Sequence, residues 1–271
     1  MKIKEKRVGF IGAGNMASAL ISGMISAGFK PENIIASSPG KSHLDILSNE
    51  FSVKTSNDNE LVFKESEVII FAVKPNVLKN VLEEYKNLAC EGKVLISVAA
   101  GFKISDIEDI LSPEEKIIRA MPNTPASIGS GVTAISLNKN TGSSDKQDAE
   151  NLFSCVGKVV HIQEKEMDLY TALIGSGPAY VFYLIESLLD ASSQIKLDEK
   201  TKKNMISSMI AGSSKLALLS ENSPKKLREN VTSPGGVTQR AIEEFEKNGM
   251  KKIIIEAIEA AASKSKELGD N

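Results

Sequence analysis

The residues of this chain that could do chemistry cluster in short glycine-containing segments. The first reads Val8-Gly9-Phe10-Ile11-Gly12-Ala13-Gly14-Asn15-Met16-Ala17, an apolar run passing through G-x-G-x-x-A into a helical pattern. Gly12 permits a tight turn, Gly14 leaves room for a pyrophosphate beside the backbone, and the small Ala17 permits close strand–helix packing. The start of the following helix offers free N–H groups and a positive dipole end to phosphates. The strand before and the helix after the glycines make this a dinucleotide site, which a lone glycine pattern would not establish.

A second group distinguishes the nucleotide. NAD sites usually carry Asp or Glu about 20 residues after the glycines, to bind the ribose hydroxyls. Here the strand reads Ile34-Ile35-Ala36-Ser37-Ser38-Pro39-Gly40-Lys41, with no acid before Asp45. Hydroxyls and a lysine stand where a 2′-phosphate needs donors, so the expectation is NADPH, with NADH possible. Three further segments end apolar runs: Ala72-Val73-Lys74-Pro75, Ala99-Ala100-Gly101 and Met121-Pro122-Asn123-Thr124-Pro125. In a parallel sheet such ends line the ligand crevice, here on the nicotinamide side.

Two segments lie further along. Gly175-Ser176-Gly177-Pro178-Ala179-Tyr180 starts a helix and leaves Ser176 beside its open N-terminus. Ser233-Pro234-Gly235-Gly236-Val237-Thr238 does the same, and the N–H groups of Gly236, Val237 and Thr238 could hold a carboxylate. Each also reads as an ordinary helix start.

The rest of the composition limits the chemistry. Among 271 residues there are two histidines, His43 and His161, and two cysteines, Cys90 and Cys155. That excludes a multi-histidine zinc site or a four-cysteine cluster, so no metal is expected. It also weighs against a histidine-driven mechanism. The cysteines have no metal or redox spacing and read as reduced core thiols. A net charge of −2 argues against a nucleic-acid partner. The groups Lys200, Lys202, Lys203 and Lys225, Lys226, Arg228 read as solvated helix faces. No signal peptide is visible, and no apolar run is read as approaching the ~18–20 residues of a membrane span, so a cytoplasmic protein without a membrane partner is expected.

The elements that must position these residues follow from periodicity. Apolar runs at 8–11, 33–37, 68–73, 94–98 and 117–121 alternate with amphipathic stretches, as in an α/β doubly wound sheet buried on both faces. After Gln163 helical patterns take over, at 180–192, 198–220, 236–247 and 251–268. The expected division is a Rossmann-type domain at 1–163 and an all-helical domain at 164–271. The 198–220 helix is apolar on more than one face. It is either buried within its own domain or packed on a second subunit.

The strings GFIGAGNMA, ASSPG, FAVKP, SVAAG, RAMPNTPA, GSGPAY and, most specifically, NVTSPGGVTQRAIEEFE resemble the pyrroline-5-carboxylate reductase family nearly end to end. The resemblance implies reduction of 1-pyrroline-5-carboxylate to L-proline by NAD(P)H, the last step of proline biosynthesis. It also implies a helical domain that intertwines with a partner into a dimer, in some members a decamer. By position, Gly12, Ala13, Gly14, Asn15 and Met16 would hold the pyrophosphate. Ser38 and Asn59, with Ser37 beside them, would lie at the ribose and 2′-phosphate. Ala72, Val73, Lys74, Pro75 and Ala100 would line the nicotinamide half, and Asn230 would also touch cofactor. Glu221, Val237 and Thr238 match substrate-contacting positions, with Ser233 and Gly236 adjacent and Ser176 added from its own helix start. Thr238 is the catalytic candidate, hydrogen-bonding the ring nitrogen. Gly40 departs from members that carry an acid there. The nearest enzyme rival is a 3-hydroxyacid dehydrogenase or imine reductase of similar build; such dehydrogenases carry a catalytic lysine early in the second domain, and none occurs between Lys165 and Lys196. A non-catalytic NADP sensor would need neither GSGPA nor SPGGVT.

Overall fold

The structure, a computed structural model, describes residues 3–86, 88 and 92–269. Cys90 lies outside the described residues. The chain forms two compact units, Met1–Ser176 with Ala260–Asn271, and Gly177–Glu259.

The first unit is built on an eight-stranded sheet: β1 (Val8–Ile11), β2 (Ile34–Ser37), β3 (Lys54–Ser56), β4 (Val68–Phe71), β5 (Val94–Ser97), β6 (Lys116–Met121), β7 (Gly131–Leu137) and β8 (Gly157–His161). The spatial order is β3-β2-β1-β4-β5-β6-β7-β8. Val8 of β1 is level with Ile34 of β2 and Val68 of β4, both parallel neighbours. Helices α1 (Asn15–Ser26), α2 (Lys41–Phe51), α3 (Asn59–Glu65), α4 (Pro75–Tyr85), α5 (Ile104–Ile110) and α6 (Ser143–Ser154) connect the strands. Side chains alternate across the sheet, so Phe10 joins Leu20, Met24 and Phe153 in one core, while Ile11 joins Phe63, Phe71 and Leu82 in the other. Two covered faces explain why β1 and β4 read as apolar runs.

The doubly wound sheet is mostly parallel, with β7 running antiparallel to β6. The connection, residues 122–130, is too short for the dozen or more residues a parallel crossover requires. His43 lies in the first turn of α2.

α7 (Met167–Tyr170) opens a continuous helical stretch and is tied to the sheet by a buried cation. Arg119 of β6 is 3% exposed; its Nη1 lies 3.2 Å from Glu164 Oε1 and its Nη2 3.6 Å from Asp168 Oδ1. Glu164 also accepts from the Ile104 N–H at 2.7 Å, and Asp168 from the Ser265 hydroxyl at 2.9 Å. Neutralising both acids together, as Glu164→Gln with Asp168→Asn, leaves the guanidinium buried without a counter-charge. The expected loss is about 3 kcal/mol, a fall in melting temperature of roughly 6–12 °C. Calorimetry checks it; an unchanged melting temperature would show that the acids do not hold this joint.

The second unit contains α8 (Gly177–Ala191), α9 (Glu199–Leu219), α10 (Pro224–Asn230), α11 (Val237–Lys247) and the first part of α12 (Met250–Gly269). Pro224 stands in the first turn of α10, where a missing N–H does no harm. Phe182 and Tyr183 of α8, Leu216, Leu218 and Leu219 of α9 are exposed in the single chain. The lysine group at 200–203 is not uniformly solvated: Lys202 is 7% exposed and pairs with Glu199.

The expectation of no membrane-length apolar run also needs correction. Residues Glu164–Ala191 form one helical stretch of 28 residues, long and apolar enough to cross a membrane by length and composition. Gly175, Gly177 and Pro178 read as a break in the sequence, yet a π turn at Thr171–Gly175 carries the helix through them.

Candidate functional site

The nucleotide end of the first unit is assembled where β1, β2 and β4 stop. The Gly12 N–H donates to the Ser37 carbonyl at 2.9 Å, and the Ala72 N–H to the Ile11 carbonyl at 2.8 Å. Gly12 has φ +102, and a Cβ there would lie 2.5 Å from the Ala72 carbonyl oxygen and 3.0 Å from Val73 Cγ1. The turn therefore closes only without a side chain. Gly14 caps α1 in extended conformation, and a Cβ on it would meet nothing within 4 Å. That open space beside free helix N–H groups has the features a pyrophosphate cradle needs. Ala13 is buried, Met16 half-buried and Asn15 exposed.

Ser37 is fully buried, with its hydroxyl donating to Asn59 Oδ1 at 2.6 Å. It thus orients Asn59, the first residue of α3, from below. Half-buried Ser38 accepts from the Gly40 N–H at 3.3 Å. Ala72 and Val73 follow β4, exposed Lys74 caps α4, Pro75 begins it, and half-buried Ala100 follows β5. All cofactor-binding candidates except Asn230 therefore sit at strand ends or helix starts of this unit.

The structure gives the amide of the 122–125 loop a role of its own. Asn123 is buried, accepts from the Val132 N–H at 2.9 Å and donates to the Ile174 carbonyl at 3.1 Å. Pro178, four residues after Ile174, was the signal in the sequence. A proline cannot supply the N–H that an α-helical carbonyl at 174 would need. Ser176, half-buried, directly follows the π turn that results.

In the second unit the turn before α11 brings Ser233, Gly236, Val237 and Thr238 together. The Gly236 N–H bonds the Ser233 carbonyl at 3.0 Å, and the first helical bond runs from the Arg240 N–H to the Gly236 carbonyl at 3.2 Å. The N–H groups of Val237, Thr238 and Gln239 precede that bond and need partners from outside the helix. Val237 is 91% exposed, and Ser233 and Thr238 are exposed as well. Glu221 is exposed in the α9–α10 turn, and Asn230 ends α10.

Neither histidine belongs to these groups. His161 ends β8 paired with Glu150. Cys155 is half-buried, and burial pushes its thiol pKa up.

Comparison with known proteins places these groups in a family. Residues 164–268 match the family model "Pyrroline-5-carboxylate reductase dimerisation", and residues 7–101 match "NADP oxidoreductase coenzyme F420-dependent". A pyrroline-5-carboxylate reductase of Methanosarcina acetivorans is 37% identical over 98% of this chain and 99% of its own. One of Arabidopsis thaliana is 36% identical over 98% of this chain and 96% of its own. The crystal structure of Plasmodium falciparum pyrroline carboxylate reductase with NADP bound has a TM-score of 0.90 at 36% identity, covering 98% of this chain and 99% of that one. A reductive aminase of Aspergillus terreus, 12% identical with a TM-score of 0.58 over 79% of this chain and 75% of its own, shares the fold alone.

Proposed function

The chain belongs to the pyrroline-5-carboxylate reductase family, and on that premise we propose that it reduces 1-pyrroline-5-carboxylate to L-proline with NADPH. The carrying observation is full-length identity of 36–37% to reductases of that name, together with the NADP-bound relative. The open space at Gly14 and the acid-free Ser37-Ser38 strand end fit NADPH. Incubation with pyrroline-5-carboxylate should yield proline, and NADPH should serve better than NADH. Cofactor binding without reduction would favour the sensor reading.

The mechanism follows from an electrophile that needs little activation. NADPH, when bound, would supply the hydride. Gly14 and the α1 N-terminus would hold its pyrophosphate, and Asn59, oriented by Ser37, would meet the ribose with Ser38. The start of α11 binds the substrate carboxylate through its N–H groups. The Thr238 hydroxyl orients the ring nitrogen, and Glu221 favours the cationic iminium. A threonine hydroxyl is too weak an acid to protonate the imine, so the proton comes with the substrate or from a water, and alignment provides most of the rate. No histidine takes part. His43→Gln with His161→Gln should therefore keep turnover within about threefold of the parent, and a tenfold loss in steady-state assay would contradict this.

The reading assigns 1–163 to cofactor binding and 164–271 to substrate binding and dimerisation. The exposed apolar faces of α8 and α9 are covered by a second subunit, consistent with the dimerisation model over this region. That partner also accounts for the apolar 164–191 stretch without a membrane. The protein works in the cytoplasm on a small cyclic imine carboxylate, without nucleic acid, as a dimer that a decamer could extend.

A further inference from the structure

Asn123 joins three parts of the first unit. Its Oδ1 accepts from the Val132 N–H at the start of β7, and its Nδ2 donates to the Ile174 carbonyl in the π turn. Its own carbonyl accepts from the Ala126 N–H at 3.0 Å, opening the turn Thr124–Ile128. That turn packs on α1, where Thr124 and Ser127 face Asn15 and Met16 across a cleft of about 410 Å³.

The bond to Ile174 answers a need written into the sequence. An α-helix would satisfy that carbonyl with the N–H of residue 178, which is proline. The helix widens instead, and the Ser176 N–H reaches the Thr171 carbonyl five residues back at 2.8 Å. Such π turns recur at functional sites. Two neighbours fix the same joint. Tyr170 Oη donates to the Val132 carbonyl at 2.9 Å, and burial pushes its pKa up to about 12, so it remains a donor at neutral pH. Met121 packs on Gly175 so closely that a Cβ there would lie 3.0 Å from Met121 Cε.

We infer that Asn123 is a positioning residue for the reduction, setting the Gly175-Ser176 segment against the ends of β6 and β7 through its bond to Ile174. The kinetic part of this inference rests on the reductase reading; the geometric part does not.

The test begins with Asn123→Asp, which keeps the acceptor for Val132, loses the donor and turns a carboxylate toward the Ile174 carbonyl. The expected result is a kcat lowered about 10- to 100-fold, with the Kd for NADPH within about twofold and faster amide exchange over residues 171–177 but not in β5. Pro178→Ala is the second variant. It restores an N–H at 178 and gives Ile174 a competing donor. In the double variant the loss from Asn123→Asp should shrink, a coupling that general destabilisation does not produce. Should Asn123→Asp fail to fold, Pro178→Ala alone decides, with kcat lowered, exchange at 171–177 altered and NADPH binding intact. The inference is overturned by unchanged kcat and exchange, by kcat and NADPH affinity falling in parallel, or by additive losses in the double variant. A parent enzyme inactive on pyrroline-5-carboxylate would overturn the reductase reading alone, and the exchange measurement would still decide whether Asn123 holds the turn.

Discussion

Gly12→Ala should weaken NADPH binding at least about 100-fold, or roughly 2.7 kcal/mol, and lower the melting temperature at the same time. Gly12 has φ +102, which an L side chain rarely adopts, and the added methyl would stand 2.5 Å from the Ala72 carbonyl oxygen. That oxygen is backbone at the end of β4 and cannot swing aside as a side-chain tip would. Either the turn or the strand end moves, and both belong to the phosphate cradle. Gly14→Ala is the contrast. Its Cβ would enter open space and its backbone is extended, so the fold should tolerate it. The methyl would instead occupy the room of the pyrophosphate. Calorimetric titration with NADPH, paired with thermal melts, separates the two. Binding by Gly12→Ala within threefold of the parent would refute the assignment of this turn.

Thr238→Ala should lower kcat/KM for the imine about 100-fold, the scale of losing one well-placed donor at the reacting group, and leave the Kd for NADPH unchanged. Thr238 is exposed in the first turn of α11, two residues from the Gly236 cap, so its loss should cost the fold little. Thr238→Val keeps the shape without the hydroxyl and should match alanine. Thr238→Ser should recover most of the activity. Equal kinetics in parent and Thr238→Val would remove the hydroxyl from the mechanism.

Much of the fold can be read from pattern because its rules are local. The runs at 8–11 and 68–73 are apolar throughout, and two helical layers make them so. The edges are harder. β7 alternates direction because residues 122–130 leave no length for a crossover, a constraint of spacing that periodicity does not report. The π turn was hidden because Gly175, Gly177 and Pro178 individually signal a helix boundary, whereas tertiary bonds from Asn123 and Tyr170 hold the chain helical there. The phosphate loop was legible from Gly12, Gly14 and Ala17, since each has a steric reason to be small. The role of Ser37 was not: whether a serine at a strand end faces ligand or a neighbouring asparagine depends on a side-chain direction that only the packed structure supplies. Arg119 was likewise invisible as a cross-link, because its partners Glu164 and Asp168 are remote in sequence.

The central claim is that this chain delivers a hydride from bound NADPH to the carbon of the imine bond. The most direct measurement uses NADPH deuterated on the transferred face of the nicotinamide C4, with pyrroline-5-carboxylate as substrate, and analyses the product by mass spectrometry and NMR. The account predicts L-proline carrying one deuterium at C5, the ring carbon bonded to nitrogen on the side away from the carboxylate, formed one for one with NADP⁺. NADPH that binds but is not oxidised, or proline without deuterium at that carbon, would contradict it.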